Sequence, residues 1–348
     1  MNIVNEQSKW SKKTARIAII IGASFVALSL ITGCGNDKLT VKQPPAANET
    51  GTAANPAEQP TGSEEQNPAK QFELAITEVK EAHEAIELFD KHISKADKKA
   101  ADSMFLRLEQ FYTEQLPSIN ANLTTIMSQA DMQKYIEHGI FNIEKAKQDS
   151  AYKEWLLNQE KGKLIWDWAD DVFLKVDYAA LHKDYANYIS ADLSSYLAIQ
   201  ANESAEKLMS DGALKITRDE LAKRLIDVEQ YVTGYPNAQK KAAMLDLYSQ
   251  YIHEYIHGYR YNAIADETHN DTMKLLPEVK ANYEKLVQQH PTSKTAQIVS
   301  DYLVVINENK DVIYNQGEPG GSIRGDIKPT IKKFWDQLDV QVNQLFGQ

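Results

Sequence analysis

Apolar side chains recur at helical spacing through most of the chain beyond residue 71. Ile86, Phe89 and Ile93 fall at i, i+3 and i+7, and Met104, Leu108 and Phe111 repeat the stripe one segment later. Such a stripe needs covering by other elements, so it predicts packed helices. From 71 to 316 there are five glycines (139, 162, 212, 234, 258) and four prolines (117, 236, 277, 291), most of them where helices would stop. Sandwiches and barrels need turn residues about every 8–12 positions, and this sparseness argues against them. Thr217 followed by Glu220 makes a capping box, Tyr231 and Val232 close that helix, and Gly234 supplies the position after it. Ser128, Ser150, Ser190, Asn237 and Thr292 are further N-cap candidates. The pattern predicts an all-α body of about nine to eleven helices between 71 and 346. The glycine-rich stretch 317–325 reads as a loop before a last helix starting near Pro329.

Two segments echo each other without a gap at an offset of 55 residues. Glu229, Val232, Pro236 and Asp246 recur as Glu284, Val287, Pro291 and Asp301, and each segment reads as helix, proline-containing turn, helix. Residues 228–307 thus resemble the helical hairpins of tetratricopeptide-type proteins. The period departs from the 34 residues of that family, and no third copy aligns. The architecture expected is either a multi-helix bundle or an irregular helical-hairpin array.

The amino terminus follows different rules. Lys9, Lys12, Lys13 and Arg16 precede sixteen uncharged residues, Ile17 to Thr32. Sixteen is short of the roughly 20 apolar residues that span a bilayer, and the flanks fit a secretory signal. The run ends in Ile31-Thr32-Gly33-Cys34, and Cys34 is the chain's single cysteine. This quartet resembles the lipobox of bacterial lipoproteins. The resemblance implies a signal peptide over 1–33, diacylglyceryl (palmitate-type) attachment to the Cys34 thiol, and cleavage before it. The alternative is an uncleaved anchor with an incidental cysteine. Two acyl chains hold a protein at a membrane stably where one does so only marginally, which would make Cys34 a sufficient anchor.

Residues 35–70 carry five prolines and three glycines with almost no large apolar side chains. Such a segment buries too little surface to offset its ordering entropy, so 34–70 reads as the lipidated cysteine and a disordered linker. The all-helical domain is then expected over 71–348, on the extracytoplasmic face of the cell membrane.

Charge narrows the partners. The chain carries 38 basic and 49 acidic residues, a net −11, and loss of residues 1–33 takes it to −14. So acidic a surface repels phosphate backbones, which argues against nucleic acid. An envelope protein or a cell-wall glycan fits the expected location better.

One motif carries chemistry: His253-Glu254-Tyr255-Ile256-His257 fits H-E-x-x-H. Residues four apart share a helix face, so both imidazoles are candidate zinc ligands and Glu254 a candidate general base on a metal-bound water. A catalytic zinc needs a third ligand, for which Glu267 and His269 are the nearest candidates. The resemblance to zinc metallopeptidases covers those five residues alone. Where metzincins place a third histidine, this chain has Ala263. The competing reading is structural: histidines in the last turn before Gly258 are stabilised by the helix dipole.

Aromatic residues crowd the stretch 150–200: Tyr152, Trp155, Trp166, Trp168, Phe173, Tyr178, Tyr185, Tyr188 and Tyr196. They suit either a groove for glycan or peptide, or a core stripe. Asp167, Asp170 and Asp171 beside them read as a solvated helix face. P-loop, nucleophile-elbow and dinucleotide-binding motifs are absent from the sequence. The function expected is binding, with a zinc-dependent hydrolase as the alternative.

Overall fold

The computed structural model describes residues 67–347 except 138–139, 169–171, 211–212, 259–272 and 322–323. Residues 1–66, with Cys34, the expected signal peptide and most of the expected linker, lie outside the described residues, as do Glu267 and His269, whereas Asn67 to Lys70, read as the end of that linker, cap and begin the first helix.

Fourteen helices dominate the described residues: α1 (Pro68–Ile76), α2 (Ala82–Ile93), α3 (Lys98–Met127), α4 (Ala130–Gln133), α5 (Ile143–Ala146), α6 (Ser150–Lys161), α7 (Tyr178–Tyr185), α8 (Ala191–Ala205), α9 (Arg218–Gly234), α10 (Lys241–Ile256), α11 (Pro277–Gln289), α12 (Lys294–Glu308), α13 (Pro329–Asp336) and α14 (Leu338–Phe346). The fold is mostly α, but all-α is too strong. Four antiparallel hairpins are set between the helices: β1 (Ile136–Glu137) with β2 (Ile140–Phe141), β3 (Leu164–Trp168) with β4 (Val172–Val176), β5 (Met209–Ser210) with β6 (Ala213–Leu214), and β7 (Tyr314–Gln316) with β8 (Arg324–Ile327).

The amino-terminal helices form one packing group. Asn67 caps α1 by accepting from Ala69 N at 2.9 Å, and Pro68 occupies the first turn, where a missing N–H costs nothing. The stripe read on α2 is buried as expected, with Phe89 edge-on to Phe72 of α1 at 5.5 Å and to Tyr185 of α7 at 4.9 Å. Helix α3 runs 30 residues through Pro117, although a proline inside a helix removes a backbone hydrogen bond. Ile119 and Leu123 beyond the proline are buried, so tertiary packing outweighs the lost backbone hydrogen bond.

The β3–β4 hairpin overturns the reading of 164–176 as helix. Leu164 pairs with Val176 and Trp168 with Val172, and Val172, Leu174 and Val176 alternate inward. Asn120 of α3 clamps β4, donating to Leu174 O at 2.9 Å and accepting from Leu174 N at 2.7 Å. Glu109 of α3 is buried and ties distant segments together. It accepts from Tyr196 Oη at 2.7 Å and Tyr178 Oη at 3.3 Å, and Lys240 Nζ lies 2.7 Å from its other oxygen.

The carboxy-terminal half is built of paired helices. The echo segments form α9 with α10 and α11 with α12, each joined through its proline turn, and α9 packs against α8, α11 and α12. The amino-terminal cap holds, with Thr217 Oγ1 accepting from Glu220 N at 3.1 Å, while the Glu220 carboxylate accepts from Arg224 Nε at 3.1 Å. Other boundaries shift. Gly234 ends α9 from inside, Ser128 closes α3, and the caps before α6, α10 and α12 are Asp149, Lys240 and Ser293 in place of Ser150, Asn237 and Thr292. Of the stretch read as a loop at 317–325, Arg324 and Gly325 belong to β8, and the final segment is two helices, α13 beginning at Pro329 as expected.

Candidate functional site

The H-E-x-x-H motif lies at the carboxy end of α10. Met244, Tyr248, Tyr251, Ile252 and Tyr255 face the core, which leaves Ser249 and His253 on the side turned toward α14. The helix stops at Ile256 because Gly258 takes a left-handed φ of 63°. Its last carbonyls are satisfied from other elements. Arg218 of α9 donates to Tyr255 O at 2.9 Å, and the Tyr283 hydroxyl of α11 lies 2.8 Å from both Tyr255 O and Ile256 O.

The two imidazoles meet. His253 Nδ1 lies 3.1 Å from His257 Nε2. The outer nitrogens each face an acceptor: His253 Nε2 is 2.8 Å from Asp339 Oδ1 of α14, and His257 Nδ1 is 3.0 Å from Gly258 O. Ser249 Oγ donates to the same Asp339 oxygen at 2.7 Å. The Ser249 hydroxyl, with His253 beside it, holds the Asp339 carboxyl below the usual carboxylate range. The Trp335 ring of α13 stands 4.8 Å from the His257 ring, and burial pushes the His257 pKa down, a direction His253 reinforces.

Glu254 is placed differently. It is buried, and its charge acts on the Tyr283 hydroxyl, so it belongs to the packed side of α10. Among the described residues no group of three or more His, Cys, Asp or Glu side chains is arranged to hold a metal ion.

Most of the aromatic run is core. Tyr185 donates to Asp90 Oδ1 at 2.7 Å, Tyr178 and Tyr196 to Glu109, and Trp166 packs against Trp155 and Phe141 at 5.8 and 5.4 Å. Asp167 sits on β3, not on a helix, paired with Lys175 at 2.8 Å and Lys207 at 2.6 Å. Asp170 and Asp171 lie outside the described residues.

A cleft that no motif marked opens between α8 and α9. Its volume is about 660 Å³, and Ser195, Ile199 and Asn202 of α8 face Asp227 and Gln230 of α9 across it, with Tyr235 at one end. Ser195 Oγ and Tyr235 Oη are 3.3 Å apart. Ala198, Ala201 and Ile199 give the lining apolar surface among hydrogen-bonding and charged groups, a mixture able to orient a small ligand. The sequence signal for it was weak, since small residues at 195, 198 and 201 read equally well as ordinary helix contacts. No helix among the described residues is long and apolar enough to cross a membrane. Comparison with protein-family models, with curated proteins and with solved structures finds no match to this chain.

Proposed function

We propose that this chain is a bacterial lipoprotein, anchored through diacylglyceryl-Cys34 on the outer face of the cytoplasmic membrane, whose helical body binds a wall-derived glycan or short peptide. The observation that carries the binding role is the cleft between α8 and α9. Its volume of about 660 Å³ falls in the range of small-ligand sites, roughly 300–1,000 Å³. Ser195, Asn202, Gln230 and Tyr235 offer hydroxyl and amide groups for sugar hydroxyls or peptide amides, and Ile199 offers an apolar surface beside them.

The anchor and the binding role are tested separately. Metabolic palmitate labelling is expected to mark the full chain and to leave Cys34→Ser unmarked; a labelled Cys34→Ser variant overturns the anchor. Full-length protein in detergent is expected to retain soluble wall fragments, and Ala198→Phe, which fills the cleft, to lose them. Equal retention by both proteins overturns the binding site.

A zinc-dependent hydrolase using His253, Glu254 and His257 is the second reading, supported by the approach of the two imidazoles. The burial of Glu254 weighs against it, because a general base must reach a metal-bound water.

A further inference from the structure

We propose that His253 and His257 hold a divalent transition-metal ion between them, through Nδ1 of the first and Nε2 of the second, and that this ion clasps the carboxy-terminal helices onto α10. The argument begins with the outer nitrogens. A backbone carbonyl is an acceptor without a proton, so the 3.0 Å contact with Gly258 O places a hydrogen on His257 Nδ1 and a lone pair on Nε2. Asp339 Oδ1 already accepts from Ser249 and is an acceptor toward His253 Nε2 as well, which places the hydrogen of a neutral His253 on Nε2. Its lone pair is then on Nδ1. Two lone pairs consequently face each other across 3.1 Å, an arrangement that is favourable when a cation lies between them.

The spacing suits a metal. Two nitrogens bound at about 2.0–2.1 Å to one tetrahedral zinc stand about 3.3 Å apart, so a few tenths of an ångström of movement opens the pair to an ion. The outer contacts are those that orient metal-binding imidazoles: one N–H to a carboxylate, the other to a backbone carbonyl. The carboxy end of α10 adds the negative pole of a helix dipole. His253 is 31 % exposed, which leaves the ion a way in. Because Asp339 belongs to α14 and Trp335 to α13, an ion here strengthens the hold of both helices: a bound metal sharpens the acidity of the His253 N–H that Asp339 accepts. This site makes no use of Glu254 and is independent of the cleft.

The experiment is a titration of untagged, chelator-stripped full-length protein in detergent with Cu²⁺, followed by Zn²⁺ competition, reading indole fluorescence. Cu²⁺ quenches nearby indoles and heads the divalent affinity order. The expected result is saturable one-to-one quenching that Zn²⁺ reverses and that Trp335→Phe largely removes. His257→Ala is expected to weaken binding by at least about tenfold and Asp339→Asn by about ten- to a hundredfold, the cost of losing an outer-shell partner. Circular dichroism confirms that each variant remains folded, and wild-type protein is expected to melt higher with Zn²⁺ than without. A folded wild-type protein that shows no saturable binding below about 100 μM overturns the proposal and leaves a shared proton as the cation. Binding that survives His257→Ala unchanged overturns it as well, since the ion then sits elsewhere.

Discussion

Glu229, near the end of α9, caps a helix of the other hairpin through Thr295. Its carboxylate accepts from Thr295 N at 2.8 Å, from Thr295 Oγ1 at 2.7 Å and from Lys294 N at 2.7 Å, so both oxygens serve the first turn of α12. Both residues are buried, and Tyr248 Oη sits 2.9 Å from the same threonine hydroxyl. A charged acceptor at a helix amino terminus meets unpaired N–H groups and the positive end of the dipole together. Glu229→Gln keeps the shape but removes the charge and one acceptor oxygen. The expected loss of stability is about 1.5–3 kcal/mol, read by urea denaturation, with Thr295→Val less costly than Glu229→Gln. An unchanged midpoint for Glu229→Gln means that the cap contributes nothing.

Arg224 of α9 is 3 % exposed and ties the end of α8 in place. Its guanidinium pairs with Glu203 and with Glu220 at 3.1 Å, and donates to Glu206 O at 3.1 Å and Asn202 O at 3.4 Å. Tyr251 donates to the same Glu203. Because Glu203 and Glu220 are partly solvated, Arg224→Met is expected to cost about 2–3 kcal/mol, below the 3–5 typical of a fully buried pair. Arg224→Lys is expected to recover less than half of that, since an ammonium cannot span this fan of acceptors. Thermal melts of the three proteins decide it.

Gly162 sits where α6 meets α2. A Cβ added there would lie 2.6 Å from the Ala82 Cβ and 2.8 Å from His83 N, while the Gly162 carbonyl accepts from Tyr112 Oη at 2.8 Å. Gly162→Ala is expected to destabilise by about 1–3 kcal/mol through overpacking. Gly162→Ala combined with Ala82→Gly should regain part of the loss, because the closest clash is with the alanine methyl. If the double variant melts no higher than the single one, backbone contact alone sets the cost.

Asp149, the cap of α6, accepts from Tyr135 Oη, from Ala151 N at 3.0 Å and from Lys134 Nζ at 3.0 Å. The Tyr135 hydroxyl first, then the Ala151 amide and Lys134, bring its pKa down to about 2. The folded value lies below the ordinary 3.8, so the carboxylate's stabilisation is present in full above about pH 4 and is lost as pH falls toward 2. Carboxyl NMR is expected to find the Asp149 midpoint near 2, and Tyr135→Phe to move it upward. A midpoint at the ordinary aspartate value contradicts the network.

Helix content was legible because it is written locally. The burial of Ile86, Phe89, Ile93, Met104, Leu108 and Phe111 follows from a 3.6-residue period that any one segment displays by itself. The side-chain cap at Thr217 and the stop at Gly258 are equally local. The β3–β4 hairpin did carry a signal in the alternation of Val172, Leu174 and Val176, but the neighbouring tryptophans read as a helical stripe. Pro117 marks the limit of local rules: the helix continues through it, held by buried contacts on both sides.

The echo between 229 and 284 shows where sequence likeness ends. Glu229 is buried and caps α12, whereas its counterpart Glu284 is exposed. Chain order alone determined the helices, the hairpin turns at Pro236 and Pro291 and the closeness of His253 to His257, since each depends on residues a few positions apart. Tertiary structure decided the partners of those groups: Asp339 and Trp335 at the histidines, Thr295 at Glu229, and α8 across the cleft from α9. These contacts join residues up to 86 positions apart, and burial demands a partner without specifying, in the linear pattern, which distant residue supplies it.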